Sequence, residues 1–396
     1  MRVLGLDISK SSVACCLLLE KPTEPRQFYF DCNFYHFDAN ASGISALLAL
    51  KPNVAVCEPT GINYQRLWGT HLAWAGVMVY LVGHAELKAY RKHLGFLDNK
   101  DDDADALALA CYWFDNHQSL RRFIQLRDYP ITRIRQLVLR LAHLNRVQSP
   151  IINRLRQDLA WQFPEVALVK SQRHSLSENL PLLWAWLAGE KEALKYEQML
   201  ESSVGLGITD AVRLHAQRIC HLQREEIAID RELMHLIDAP EFIPYRKVFA
   251  RFGFGLRVQS ILISQIYPLS NYLDKSGKPE VLIRKGRKSG KPTKHRLSLR
   301  RFMKALGVAP GKDASGDRDL DRVGGSDLCR LALWQWVFTR IEPRRSRPAN
   351  EIGKRLGEII DAEKSTGRPI KLVRTRVAAR AVRLLFKELI QALKSD

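Results

Sequence analysis

Residues 2–8 read Arg2-Val3-Leu4-Gly5-Leu6-Asp7-Ile8. A short apolar run closed by an acid predicts a buried strand over 2–7 with Asp7 at its end, because a strand covered on both faces loses the apolar/polar alternation. Working outward, Val13 to Glu20 reads as a second strand, and 27–37 (Gln-Phe-Tyr-Phe-Asp-Cys-Asn-Phe-Tyr-His-Phe), with alternating aromatics, as a third. A helix over 42–50 follows, then strand 53–58 ending in Glu58, helix 62–75, strand 77–82, helix 84–94 and a helix from about 101 to 115. The order βββαβαβα predicts an RNase H-like α/β domain.

The chain has 396 residues, a net charge of +20 and 46% hydrophobic residues. This composition belongs to a folded protein with two or three cores, and excludes a mainly disordered, collagenous or fibrous chain. The charge is uneven. Residues 1–125 hold 12 Lys and Arg against 13 Asp and Glu, so the excess lies in the remaining 271 residues. An acidic site in the near-neutral part, with a polyanion gripped by the basic part, is the arrangement expected of a metal-dependent nucleic-acid enzyme.

Seven cysteines form no Cys-x-x-Cys pair, which indicates neither a zinc site nor a disulfide framework and suits a reducing cytoplasm. The N-terminus meets an acid at residue 7 and lacks the apolar core of a signal peptide. The stretch Leu67 to Gly83, interrupted by Thr70, His71 and Gly76, falls short of a membrane span and reads as a helix followed by a buried strand, so no membrane partner is expected.

From about 120 to 240 strand signals vanish. Ile131, Ile134, Leu137, Val138, Leu141 and Leu144 recur at helical spacing, and Ile219, Leu222, Ile229, Leu233 and Leu236 hold a similar frame with Glu226 at one seam position. The two stripes predict a helical hairpin or coiled coil, within one chain or between two. Residues 275–301 hold eleven Lys and Arg and one acid, Glu280, among Gly, Pro and Ser, and are expected to be a flexible arm that orders on phosphate. Helices are expected near 257–266, 326–340 and 370–393.

Asp7 and Glu58 end two strands that an RNase H-like sheet places side by side. Asp102 and Asp105 are three apart, on one face of a helix, where they can converge on the strand-end pair. Four such carboxylates repel unless a cation neutralises them, and Mg²⁺ favours oxygen ligands. Two ions of this kind serve phosphoryl transfer. Asp101 and Asp103 are expected to point away from that face and to tolerate alanine.

These residues resemble a family. Gly5-Leu6-Asp7-Ile8-Ser9-Lys10, Glu58-Pro59-Thr60-Gly61 and Lys100-x-Asp102-x-x-Asp105-Ala106 look like the three signatures of the DEDD-type insertion-sequence transposases, the bridge-RNA-guided recombinases with a RuvC-like N-terminal domain. In the C-terminal part, Phe252 to Tyr267, Leu306 to Pro310, Ala314-Ser315-Gly316, Gly325 to Leu333 and Arg374 to Leu385 look like the family's later motifs. Gly83-His84 stands where the family usually has Asn-Pro, and 275–301 is an insertion between motifs.

The resemblance implies an α/β plus α architecture: an RNase H/RuvC-like catalytic domain over 1–120, a helical coiled-coil region over 121–240, and a mainly helical C-terminal transposase domain over 241–396. It implies that Asp7, Glu58, Asp102 and Asp105 bind Mg²⁺ and that Ser315 is the nucleophile on DNA; from residue chemistry, Lys312, Arg318 and Arg322 are expected to hold the phosphate. It further implies a structured guide RNA and a homo-oligomer, a dimer or tetramer. Two other readings stay open: a Holliday-junction or RNase H-type nuclease that needs the acids and no serine, and a non-catalytic nucleic-acid-binding scaffold.

Overall fold

The computed structural model describes the chain except residues 60–63, 97–100, 120–121, 125–128, 174–175, 286–289, 316–317 and 394–396; the side chains of 129 and 311–323 are likewise outside the description. Thr60, Gly61, Lys100 and Gly316 of the family motifs, and Arg287 and Lys288 of the basic arm, therefore lie outside the described residues. The chain forms two compact units, Met1–Arg127 and Asp128–Asp396.

The first unit is a five-stranded mixed sheet with helices on both faces. Its elements are β1 (Val3–Ile8), β2 (Ser12–Leu18), α1 (Pro25–Asp31), β3 (Tyr35–Asp38), α2 (Ala41–Ala49), β4 (Val54–Cys57), α3 (Tyr64–Trp74), β5 (Met78–Leu81), α4 (His84–His93) and α5 (Asp102–Asn116). The strand order is β3-β2-β1-β4-β5. β1 runs antiparallel to β2 and parallel to β4, which fits an RNase H/RuvC-like domain.

β1 is buried along its whole length and sits at the centre of the sheet. Strand alternation divides its side chains between two cores. Leu4, Leu6 and Ile8 join Leu47 of α2 and Trp68 and Leu72 of α3 on one face. Val3 faces the other way, among Ala106 to Trp113 of α5. Gly5 lies on that second face, and a Cβ there would stand 1.9 Å from the carbonyl oxygen of Ala106. Only glycine lets α5 lie this close to the strand, and the small residues Ala104, Ala106, Ala108 and Ala110 make α5 itself slim enough to be buried over ten consecutive residues.

One expected strand is corrected. Residues 27–37 divide into α1 and β3: Pro25 presets the first helical turn, and Phe28, Tyr29 and Phe34 pack together against the α5-side core instead of alternating across a sheet.

The second unit is built on α6 (Tyr129–Gln162), followed by α7 (Pro164–Ala167), α8 (Leu182–Leu187), α9 (Leu194–Glu201), α10 (Asp210–Ile237), α11 (Ile243–Phe252), α12 (Leu256–Ile266), β6 (Val281–Lys285), β7 (Pro292–Arg296), α13 (Leu297–Ala305), β8 (Pro310–Ser315), β9 (Arg318–Val323), α14 (Asp327–Trp336), α15 (Glu351–Ser365) and α16 (Ile370–Ala392). The two stripes read from the sequence belong to α6 and α10, which pair antiparallel within the chain and exchange ion pairs at Arg133–Glu232 and Arg140–Glu225. Glu226, the acid in the seam, is buried and is met by Gln148 and Arg257.

At the end away from α7–α9, which connect them, α6 and α10 share a core with the C-terminal helices: Ile131 to Leu144 pack with Leu233, Phe249, Leu262, Phe302, Leu333 and Leu385. The expected boundary at 240 thus falls inside one compact unit. The basic segment 275–301, expected as a flexible arm, holds the antiparallel pair β6–β7 and leads into α13. α15 has no counterpart in the sequence reading; Asn350 caps it by accepting from Gly353 N.

Candidate active site

Asp7 is near the end of β1, on the face that carries Val3 and Gly5. In the parallel register Leu6 lies beside Cys57, so Asp7 and Glu58 are neighbours at the carboxyl ends of adjacent strands. Val54 and Val56 face the α5 side, and alternation carries Glu58 to that side too. α5 enters there. Its first turn contains Asp102 and Asp105, and the close approach at Gly5 brings the helix down onto Asp7.

The four carboxyl groups act on one another. Asp7 is buried, and its carboxyl is pushed up to about 7, first by burial, then by a hydrogen bond with Asp102 and by the charges of Asp102, Asp105 and Glu58. A carboxyl holding its proton to neutral pH next to three acids marks a site short of positive charge.

Basic side chains of the protein meet two of the acids. Arg91 of α4 donates Nη1 to Oδ1 of Asp105 at 2.9 Å, both side chains being buried. His84, the first residue of α4, brings Nδ1 within 2.8 Å of Oε2 of Glu58 and is itself mostly exposed. Arg91 escaped the sequence reading, since a single arginine in a helix ordinarily faces solvent. His84 was visible only as a departure from the family's Asn-Pro.

The neighbouring acids behave differently from one another. Asp103 faces β3, where its Oδ1 lies 3.2 Å from Nε2 of His36. Asp101 caps α5, accepting from Asp103 N at 3.0 Å, and also accepts from the Tyr29 hydroxyl. That bond, ahead of burial, pushes the Tyr29 phenol up to about 12. The expectation that Asp101 tolerates alanine is therefore corrected: it holds a helix terminus and a tyrosine.

Among the described residues, no three His, Cys, Asp or Glu side chains stand in ligating geometry around one point. The donor set still fits a hard divalent cation by its chemistry. It consists of four carboxylates without sulfur, and the proton held by Asp7 answers the same repulsion that a cation would relieve.

Ser315 belongs to the second unit. It closes β8 and pairs with Arg318 at the end of the β8–β9 hairpin, which also carries Lys312 and Arg322; the side chains of these four residues are outside the description.

The mixed sheet with strand-end acids facing a helix that adds two more is consistent with an RNase H/RuvC-like α/β domain. Residues 4–164 match the model of the DEDD transposases of the IS110 type, described as transposase. The matched segment contains all four acids and the whole of α6, and over this length the chain is similar to that transposase family. Among solved structures, the chain is similar to the Thermus thermophilus RuvC structure at 14% identity and a TM-score of 0.23, covering 32% of this chain and all of that one. No curated protein matches the chain. Among the described residues, no helix is long and apolar enough to cross a membrane.

Proposed function

We propose that the protein is a DNA recombinase that cuts and rejoins strands to insert and excise a mobile element, guided by a structured RNA and acting as a homo-oligomer, a dimer or tetramer, on DNA in the cytoplasm. The observation that carries this reading is the convergence of Asp102, Asp105 and Glu58 on a buried Asp7 whose carboxyl is pushed up to about 7. The match of residues 4–164 to the transposase model supports the reaction class.

In this reading Asp7, Glu58, Asp102 and Asp105 hold Mg²⁺, which would supply positive charge to a phosphate oxygen. The Ser315 hydroxyl attacks a DNA phosphorus. The serine oxygen–phosphorus bond forms, the bond to a sugar oxygen breaks, and that oxygen leaves as a hydroxyl after taking up a proton. Lys312, Arg318 and Arg322 bind the phosphate. Arg91 orients Asp105, and His84 orients Glu58.

The products test it. Incubation with substrate DNA, Mg²⁺ and the RNA transcribed beside the gene should yield a denaturation-resistant protein–DNA adduct that maps to Ser315 by peptide mass. Ser315→Ala should still bind DNA and form no adduct. Alanine at Asp7, Glu58, Asp102 or Asp105 should abolish strand exchange. Cleavage by Ser315→Ala at the parental rate, with two free DNA ends, would replace this reading with that of a nuclease; an adduct on Ser326 would move the nucleophile. Absence of any Mg²⁺-dependent strand breakage would leave a binding scaffold.

A further inference from the structure

β6 and β7 form a two-stranded antiparallel ribbon whose described strands are exposed almost throughout. Between 281 and 296 the sequence has seven Lys and Arg and no acid. The register pairs Val281 with Arg296, Ile283 with Lys294 and Lys285 with Pro292. Because side chains alternate across a ribbon, these six share one face, and Leu282, Arg284, Thr293 and His295 the other. The first face is the outward one: Ile283 is 65% exposed and Val281 46%, whereas Leu282 is 37% exposed and His295 is half-buried.

The base of the ribbon is fixed. Glu280 N donates to the Ser298 hydroxyl at 2.8 Å, Leu297 N donates to Glu280 O at 3.0 Å, and Arg301 pairs with Glu280 at 2.9 Å. Ser298 is buried and α13 is anchored in the core through Phe302. A rigid foot therefore carries strands that make little core of their own. A lone hairpin is marginally stable in water, and three consecutive exposed apolar residues on one strand are a cost that a partner would relieve.

We infer that this ribbon enters the major groove of B-form DNA, an inference that rests on the recombinase reading above and adds to it a DNA-binding element outside the catalytic domain. The dimensions agree. Five residues at about 3.4 Å each give strands of about 17 Å, and the groove is about 12 Å wide and 8.5 Å deep, which admits a two-stranded ribbon. The outward face has the chemistry of that groove: Lys285, Lys294 and Arg296 for phosphates and guanine acceptors, and Val281 and Ile283 for thymine methyl groups. Duplex RNA fits poorly, because its major groove is too narrow and deep for side chains to read.

The test uses the full chain, a 30-base-pair DNA duplex and an RNA duplex of the same sequence. The triple variant Lys285→Gln/Lys294→Gln/Arg296→Gln should bind the DNA duplex at least about tenfold more weakly near 0.1 M salt, with the slope of log affinity against log salt reduced by about 2–3. Lys285→Arg/Lys294→Arg/Arg296→Lys should keep the parental slope. Methyl green, which fills the major groove, should displace the parent, and netropsin, which fills the minor groove, should not. A parental slope in the glutamine variant, displacement by netropsin alone, or a loss confined to the RNA duplex would overturn the inference. A parent that binds no duplex DNA at all would overturn this inference, while the RNA-guided recombinase reading is judged separately by the serine adduct formed in the presence of the RNA. Formation of the serine adduct by the parent alongside an unchanged slope in the variant would strike the ribbon alone.

Discussion

Arg91 and Asp105 form a buried ion pair at 2.9 Å inside the acidic site, with side chains only 7% and 10% exposed. Such a pair adds little over a well-packed apolar pair, but losing one partner strands the other charge away from water. Arg91→Met should therefore destabilise the metal-free protein by about 3–5 kcal/mol in denaturant unfolding. By the same reasoning the four acids are not equivalent in the metal-free fold. Asp105→Ala leaves Arg91 unpaired and should unfold more easily, and Asp105→Leu in the Arg91→Met background should recover part of the loss.

Asp7 should respond in the opposite sense. Its carboxyl is raised from 3.8 to about 7 in the folded protein, by burial and then by its acidic neighbours. A raised value means that the folded state binds the proton more tightly than the unfolded chain, so metal-free stability should rise as pH falls from about 7 towards 4. Asp7→Asn should raise the Tm of the metal-free protein at pH 8 by several degrees and flatten its dependence on pH over that window. A melting series from pH 4 to 8 checks both; a lower Tm for Asp7→Asn would show that the carboxylate is compensated and not strained.

Gly5→Ala should be severe although it adds one methyl group. The new Cβ would meet the Ala106 carbonyl oxygen at 1.9 Å and the Ala110 nitrogen at 2.7 Å, both backbone atoms that cannot rotate away. Relief requires α5 to move off β1, which carries Asp102 and Asp105 away from Asp7. Loss of at least about 3 kcal/mol of stability, together with loss of strand exchange, is the expected outcome in unfolding and activity measurements.

In the second unit, Asp230 is buried, which alone would raise its pKa, yet hydrogen bonds from Arg257 and Arg173 hold it below the ordinary 3.8. A depressed value contributes stability that is present above the unfolded value and lost as pH falls through the folded one. Asp230→Asn should lower the denaturant midpoint at pH 7, by about 3–5 kcal/mol in stability because two arginines lose a buried partner. The difference between variant and parent should shrink below pH 4. A constant difference down to pH 2 would assign the cost to packing.

Much of the first unit was legible in the sequence because its signals are local. The apolar run 2–8, the strand-end acids Asp7 and Glu58 and the three-residue spacing of Asp102 and Asp105 follow from strand and helix periodicity, and the pairing stripes of α6 and α10 follow from the same rule. Residues 27–37 misled because alternating aromatics satisfy a strand pattern and a packed helix–strand corner equally; Pro25 was the local signal that decided between them. The β6–β7 ribbon was hidden by its charge, which reads as a solvated arm wherever no core marks a strand.

By itself, then, the sequence determined which carboxylates stand at strand ends and a helix start, and that the net positive charge lies after residue 125. Only the tertiary structure decided what those carboxylates meet. Arg91 reaches Asp105, His84 reaches Glu58, and Tyr29 reaches Asp101 across separations of 14, 26 and 72 residues. No periodicity encodes such partners. They follow from how α1, α4 and α5 pack on the sheet, where the buried apolar faces hold the helices and the missing side chain of Gly5 lets α5 approach β1.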